Sequence, residues 1–109
     1  MKWQILYFDV NVQEAISSWP VGMRAYYARI TERMMLYGPN LGMPFTRAMG
    51  RGLFEIRVRS KEGIGRAFFC TIADRRIVIL HAYVKKSQKT PSKELKLARE
   101  KMAVVKETW

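Results

Sequence analysis

Hydrophobic positions fall into two periods along the chain, and the switch between them sets the expected fold. Residues 2–8, KWQILYF, read as a short first strand. Asn11 with Glu14 three residues later is expected to form a capping box, asparagine standing in for the usual Ser or Thr. Val12, Ala15, Ile16 and Trp19 then recur at helical spacing, until Pro20 ends that helix or bends the chain. Residues 21–37 carry a second helical stripe: Met23, Tyr27, Ile30, Met34 and Tyr37. Arg24, Arg29, Glu32 and Arg33 lie off it. The stretch YGPNLGMPF is rich in Gly and Pro and reads as a loop.

Beyond the loop the period becomes two. In LFEIRVR, Phe54, Ile56 and Val58 alternate with Glu55, Arg57 and Arg59, which predicts a half-buried strand with a charged outer face. SKEGIG, residues 60–65, is a turn, RAFFCTIA, residues 66–73, a strand, and Asp74-Arg75 a tight connection. IVILHAYV, residues 77–84, is nearly all apolar and reads as a central strand covered on much of both faces, with His81 and Tyr83 expected on the face of Ile77 and Ile79. Short links between consecutive strands predict an antiparallel meander. Thr90 suits a helix cap and Pro91 a first helical position. Leu95, Ala98, Met102 and Val105 form the inward stripe of a last helix, with Lys93, Lys96, Arg99 and Lys101 toward solvent. The order β-α-α-β-β-β-α predicts an α+β fold, with an N-terminal strand and two helices on an antiparallel sheet and a C-terminal helix.

A length of 109 residues fits one domain, 1–109. No hydrophobic run approaches the roughly 18 residues of a membrane span. The start lacks a signal-peptide shape, so a cytoplasmic protein without membrane association is expected. Cys70 is the single cysteine and His81 the single histidine. They exclude an internal disulfide and a cysteine-based zinc cluster, and leave little room for a His-rich metal site. No metal or cofactor is expected.

Charge narrows the partner. Lys and Arg number 20 against 9 acids, a formal net charge of +11. Residues 51–109 hold 15 of the bases and 6 of the acids, a net of +9. Such an excess points to a polyanion, since basic side chains displace counterions from phosphates. An acidic protein partner, or solubility alone, is the alternative.

Candidate chemistry follows the arginines. Arg57 and Arg59 share one strand face, and Arg66 begins the next strand across a short hairpin. Clustered guanidiniums repel one another without an anion and grip phosphate through paired N–H groups. Glu55 and Glu62 could instead neutralise some of them as surface ion pairs. In HAYVKKSQKTP, Lys85, Lys86 and Lys89 precede the helix at Thr90-Pro91, whose free N–H groups also favour anions. The other reading of that stretch is a solvated loop. His81 reads as a core or rim histidine or as a catalyst, Tyr83 as a stacking or proton-donating side chain. Phe68 reads as core or as a stacking platform for a base, and Cys70 as a small buried residue. RNA cleavage needs little more: the 2′-hydroxyl attacks phosphorus, cations stabilise the added charge, and a proton reaches the leaving 5′-oxygen. The sequence offers no rich carboxylate cluster for two-metal chemistry.

The runs GLFEIRVRSKEGIGRAFF and RRIVILHAYVKKSQKTP, with GPNLGMPF before them, resemble the phage-derived, HigB-like branch of the RelE/ParE toxin superfamily over residues 38–91. That resemblance implies a compact α+β toxin of a type II toxin–antitoxin module. RelE-like and HigB-like members cut mRNA, typically in the ribosomal A site; ParE-like members on the same fold poison DNA gyrase. The implied partners are a small helix-turn-helix antitoxin and mRNA on the ribosome.

Carried over residue by residue, Arg57 and Arg59 match the family's basic residues on the first meander strand, and Arg66 the arginine that starts the next. Lys85, Lys86 and Lys89 match basic residues near the C-terminal end of the sheet. The resemblance thus implies a metal-independent endoribonuclease. Its expected catalytic set is Arg57, Arg66, Lys86, His81 and Tyr83, with Arg59, Lys85, Lys89, Thr90 and Phe68 on the RNA. Glu55 departs from the family's usual base at that position and is a candidate general base or an arginine partner. Tyr83 is the nearest match to RelE's C-terminal tyrosine, and HigB enzymes use more than one histidine where this chain has one. A gyrase inhibitor and a nucleic-acid binder without cleavage are the alternatives.

Overall fold

The computed structural model describes residues 2–85 and 91–109. Among these the order is β1 (Gln4–Tyr7), α1 (Val10–Ser17), α2 (Val21–Tyr37), β2 (Thr46–Gly50), β3 (Leu53–Ser60), β4 (Gly63–Ile72), β5 (Arg76–Lys85) and α3 (Ser92–Thr108). The fold is α+β, as the two periods predict. The five strands form one sheet in the order β1-β5-β4-β3-β2. β3 to β5 make the expected antiparallel meander, which β2 extends by one strand, but β1 runs parallel to β5, so the sheet is mixed. β2 is an additional strand, hidden in the sequence by its length of five residues and its weak apolar content. Its hairpin turns through Gly50, Arg51 and Gly52, all at positive φ. The Gly-Arg-Gly triplet was the available sign of that turn.

The two helical stripes cover opposite faces of the sheet. Val12, Ile16, Trp19, Met23, Tyr27, Ile30 and Met34 meet Ile56, Val58, Ala67, Phe69, Ile77 and Ile79 in one core. Ala98 and Val105 of α3 meet Leu53, Phe68, Cys70, Val78 and Leu80 in the other. Cys70 is buried there, and burial pushes its thiol up from its ordinary value.

Helix ends differ from expectation in two places. α1 is capped by Asp9, whose Oδ1 accepts from the Val12 N–H at 3.0 Å, rather than by an Asn11–Glu14 box. An acid at the true boundary offers the same acceptor two residues earlier. At α3, Pro91 is itself the cap residue and Ser92 the first helical one; Thr90 lies outside the described residues. Nor does α3 leave all its bases to solvent. Arg99 donates to the Met49 and Gly50 carbonyls at 3.0 and 3.2 Å, and Lys101 sits 5.5 Å over the Phe8 ring. Lys106 donates to the Thr71 carbonyl at 2.6 Å, and Glu94, in the first turn, meets His81 at 2.6 Å. These contacts tie α3 to the sheet along its length.

One irregularity reorganises β5. Phe68 pairs with His81 but Phe69 with Ile79, so Leu80 is an extra residue, a β-bulge. Past the bulge the alternation shifts by one. His81 and Tyr83 therefore share the α3 side with Leu80 and Val78, opposite Ile77 and Ile79. Strict alternation predicts the reverse, because one extra residue inverts every later side chain.

Candidate functional site

The outer face of β3 is not a solvated charged surface. Glu55 is fully buried, and its Oε1 lies 2.8 Å from Arg66 Nη1, 3.2 Å from Arg47 Nη2 and 3.9 Å from Arg57 Nε. Hairpin register produces this gathering: Arg57 pairs with Arg66 across β3–β4, and Arg47 pairs with Glu55 across β2–β3. Lys85, at the end of β5, pairs with Ile64 two residues before Arg66, and completes the cluster from the other side. Arg66 is 0%, Lys85 7% and Arg57 9% exposed, whereas the Arg47 side chain keeps 40% of its surface at the sheet edge.

Four cations thus surround one carboxylate in a largely dry setting. Glu55 Oε2 and Lys85 Nζ are buried without a hydrogen-bond partner among the described residues. Burial, then the Arg66 and Arg47 guanidiniums, pull the Arg57 pKa down. Burial and Arg66 do the same to the Lys85 ammonium. Charges so placed destabilise one another until a further anion joins them. An oxyanion with several acceptor atoms, such as a phosphodiester, has the geometry to serve several guanidiniums at once.

Arg57 and Arg66 meet as the hairpin predicts, and Lys85 joins them. Arg59 is exposed beside the cluster, opposite Ile64. Glu55, expected on an outer face, is the carboxylate the arginines share. Tyr83 faces Arg66 across β4–β5. It stacks on Phe68 at 5.9 Å and on His81 at 6.0 Å. Phe68 has no exposed surface, so it is core and offers no face to a base. His81 is engaged by Glu94 rather than standing open. Lys86, Lys89 and Thr90 lie outside the described residues.

Sequence reasoning missed Arg47, because the strand carrying it was read as part of no element. It also missed the loop contact in which Arg57 Nη1 lies 3.7 Å from the Met43 sulfur.

The family described as Phage derived protein Gp49-like (DUF891) matches residues 14–103. The chain belongs to that family. The Gp49-like family is associated with toxins of toxin–antitoxin modules. The matched span runs from α1 into α3 and includes Arg47, Glu55, Arg57, Arg66 and Lys85. No curated protein matches this Gp49-like chain. No helix among its described residues is long and apolar enough to cross a membrane.

Proposed function

We propose that the chain is the toxin of a type II toxin–antitoxin module, on the HigB-like branch of the RelE/ParE superfamily, and that it cleaves mRNA on the ribosome without a metal. The observation that carries this reading is the buried excess of cations around Glu55. A protein that only docks on another protein has no need to hold Arg66 and Lys85 dry. An enzyme that stabilises charge developing on a phosphodiester does, because preorganised cations act most strongly where water is excluded.

In the proposed reaction the 2′-oxygen attacks the adjacent phosphorus, the bond to the 5′-oxygen breaks, and a cyclic phosphate and a 5′-hydroxyl result. Arg57, Arg66 and Arg47 hold the non-bridging oxygens as charge builds on them. Lys85, whose ammonium is disfavoured by burial and by Arg66, is suited to take the 2′-hydroxyl proton. Tyr83, opposite Arg66, is suited to supply one to the leaving oxygen. Glu55 serves as counter-charge, keeping the guanidiniums in place between turnovers. The polyanion partner agrees with the net charge of +11, and a helix-turn-helix antitoxin would be its natural antagonist.

Primer extension on a defined mRNA with purified ribosomes tests this. Wild type is expected to cut in phase with codons, and Arg66→Gln to lose roughly 100- to 1,000-fold in rate. Because Arg66 also balances Glu55, Arg47→Gln at the exposed edge is run beside it, with a weaker loss expected. Wild type that cuts neither ribosome-bound nor free mRNA would refute the nuclease and direct attention to gyrase supercoiling.

A further inference from the structure

Beside the arginine cluster, on the α2 side of the sheet edge, lies a recess that the proposed reaction does not use. A cavity of about 210 Å³ is lined by Tyr26, Arg29, Ile30, Arg33 and Phe45. A second, of about 530 Å³, shares Arg33 and Phe45 and adds Tyr37, Asn40 and Leu41. The two form one continuous surface. Three aromatic rings and two arginines line it, and no acid does. Tyr37 is 77% exposed, so its ring stands open at the rim. Arg33 lies 5.6 Å over the Phe45 ring.

The recess is joined to the cluster by backbone. The Phe45 carbonyl accepts from the Arg57 N–H at 2.8 Å, and Arg57 also reaches Met43 in the same segment. The segment is braced at its end, with Thr46 N–H donating to the Gly42 carbonyl at 3.0 Å and Gly42 N–H donating to Thr46 Oγ at 2.8 Å. Arg47, the exposed member of the cluster, follows immediately. Residues 43–47 therefore lead from the cluster on the α3 face, round the sheet edge, to Arg33 and Arg29 on the α2 face.

We propose that this recess is a second nucleotide subsite of single-stranded RNA, taking the base of a nucleotide that flanks the cleaved bond. The base takes the Phe45 ring face that the Arg33 guanidinium now covers, displacing that guanidinium outward, Asn40 meets its polar edge, and Arg29 meets its phosphate. The assignment rests on the RNA-cleaving reading of the cluster. Rings alternating with arginines, and no acid, fit bases on a phosphate chain. An acidic peptide would answer the arginines but leave the ring faces unused.

The test uses the full chain and a short single-stranded oligoribonucleotide, fluorescein-labelled and 2′-O-methylated so that it is not cut. Single abasic positions are walked along it. One abasic position is expected to weaken binding to wild type about tenfold, the loss of one stacked base, with little effect on Arg33→Gln or Phe45→Leu. Phe45 also packs against the core, so exposed Arg33 decides if Phe45→Leu does not fold. Abasic positions that weaken wild type and Arg33→Gln equally would overturn the subsite. With Arg47→Gln still weakening binding, the cluster reading would stand without it. Arg47→Gln that binds as wild type would remove both. A poly-glutamate peptide that displaces the oligomer from wild type but not from Arg33→Gln would also overturn the subsite, giving the recess to an acidic protein segment.

Discussion

Replacing Glu55 with glutamine keeps the shape of the side chain and removes the carboxylate that Arg47, Arg57 and Arg66 share. The loss is large because Glu55 and Arg66 have no exposed surface to rehydrate. Breaking a buried ion pair from one side costs about 3–5 kcal/mol, against a total stability of about 5–15 kcal/mol for a domain. At roughly 4 °C per kcal/mol for this size, the midpoint of thermal unfolding should fall by roughly 12–20 °C. Added phosphate should restore part of the loss, since an anion bound only by the folded state at a hundredfold excess over its Kd contributes about 2.7 kcal/mol. The assay is thermal unfolding by circular dichroism in chloride and in phosphate at matched ionic strength. Glu62→Gln, on the exposed hairpin turn, is the control. A Glu55→Gln midpoint indistinguishable from the control, or one that phosphate moves no further than wild type, would refute a cation cluster in need of an anion.

Lys85→Met should raise stability by about 0.5–2 kcal/mol while weakening RNA binding, because it removes a buried ammonium kept for function. Folded Lys85 releases its proton below the ordinary 10.5, so wild-type stability gains from this group as pH rises toward that value, and urea titrations should show the gain missing from the variant. Tyr27 behaves oppositely. Burial and the Tyr7 hydroxyl 3.0 Å away raise its pKa well above 10.0, so stability is lost as pH climbs past 10.0, where the unfolded phenol ionises first. Tyr27→Phe should flatten that decline, and an unchanged slope would exclude Tyr27 as its source. A methyl group at Gly65 would stand 2.8 Å from the Met23 sulfur and 2.9–3.0 Å from the Trp19 ring. Gly65→Ala should therefore cost about 1–3 kcal/mol by overpacking, read from urea unfolding followed by Trp fluorescence. A midpoint equal to that of wild type would show that α1 and α2 yield freely there.

Elements whose signals are periodic and local are legible in the chain. The segment 21–37 is α2 to the residue, the stripe from Leu95 to Val105 is the inner face of α3, and the alternation in LFEIRVR is β3. Arg57 and Arg66 could be brought together on paper because a hairpin turn fixes register. The rest came from packing. Whether the charged face of β3 meets water depends on what covers it, and only the packed sheet shows Glu55 buried among cations from three other strands. The side on which His81 and Tyr83 stand depends on one extra residue at Leu80. The placing of α3 and of α1–α2 on opposite faces depends on which core each stripe completes. Periodicity reports which residues avoid water, not which residues they meet, because partner choice is made by contacts between segments distant in the chain.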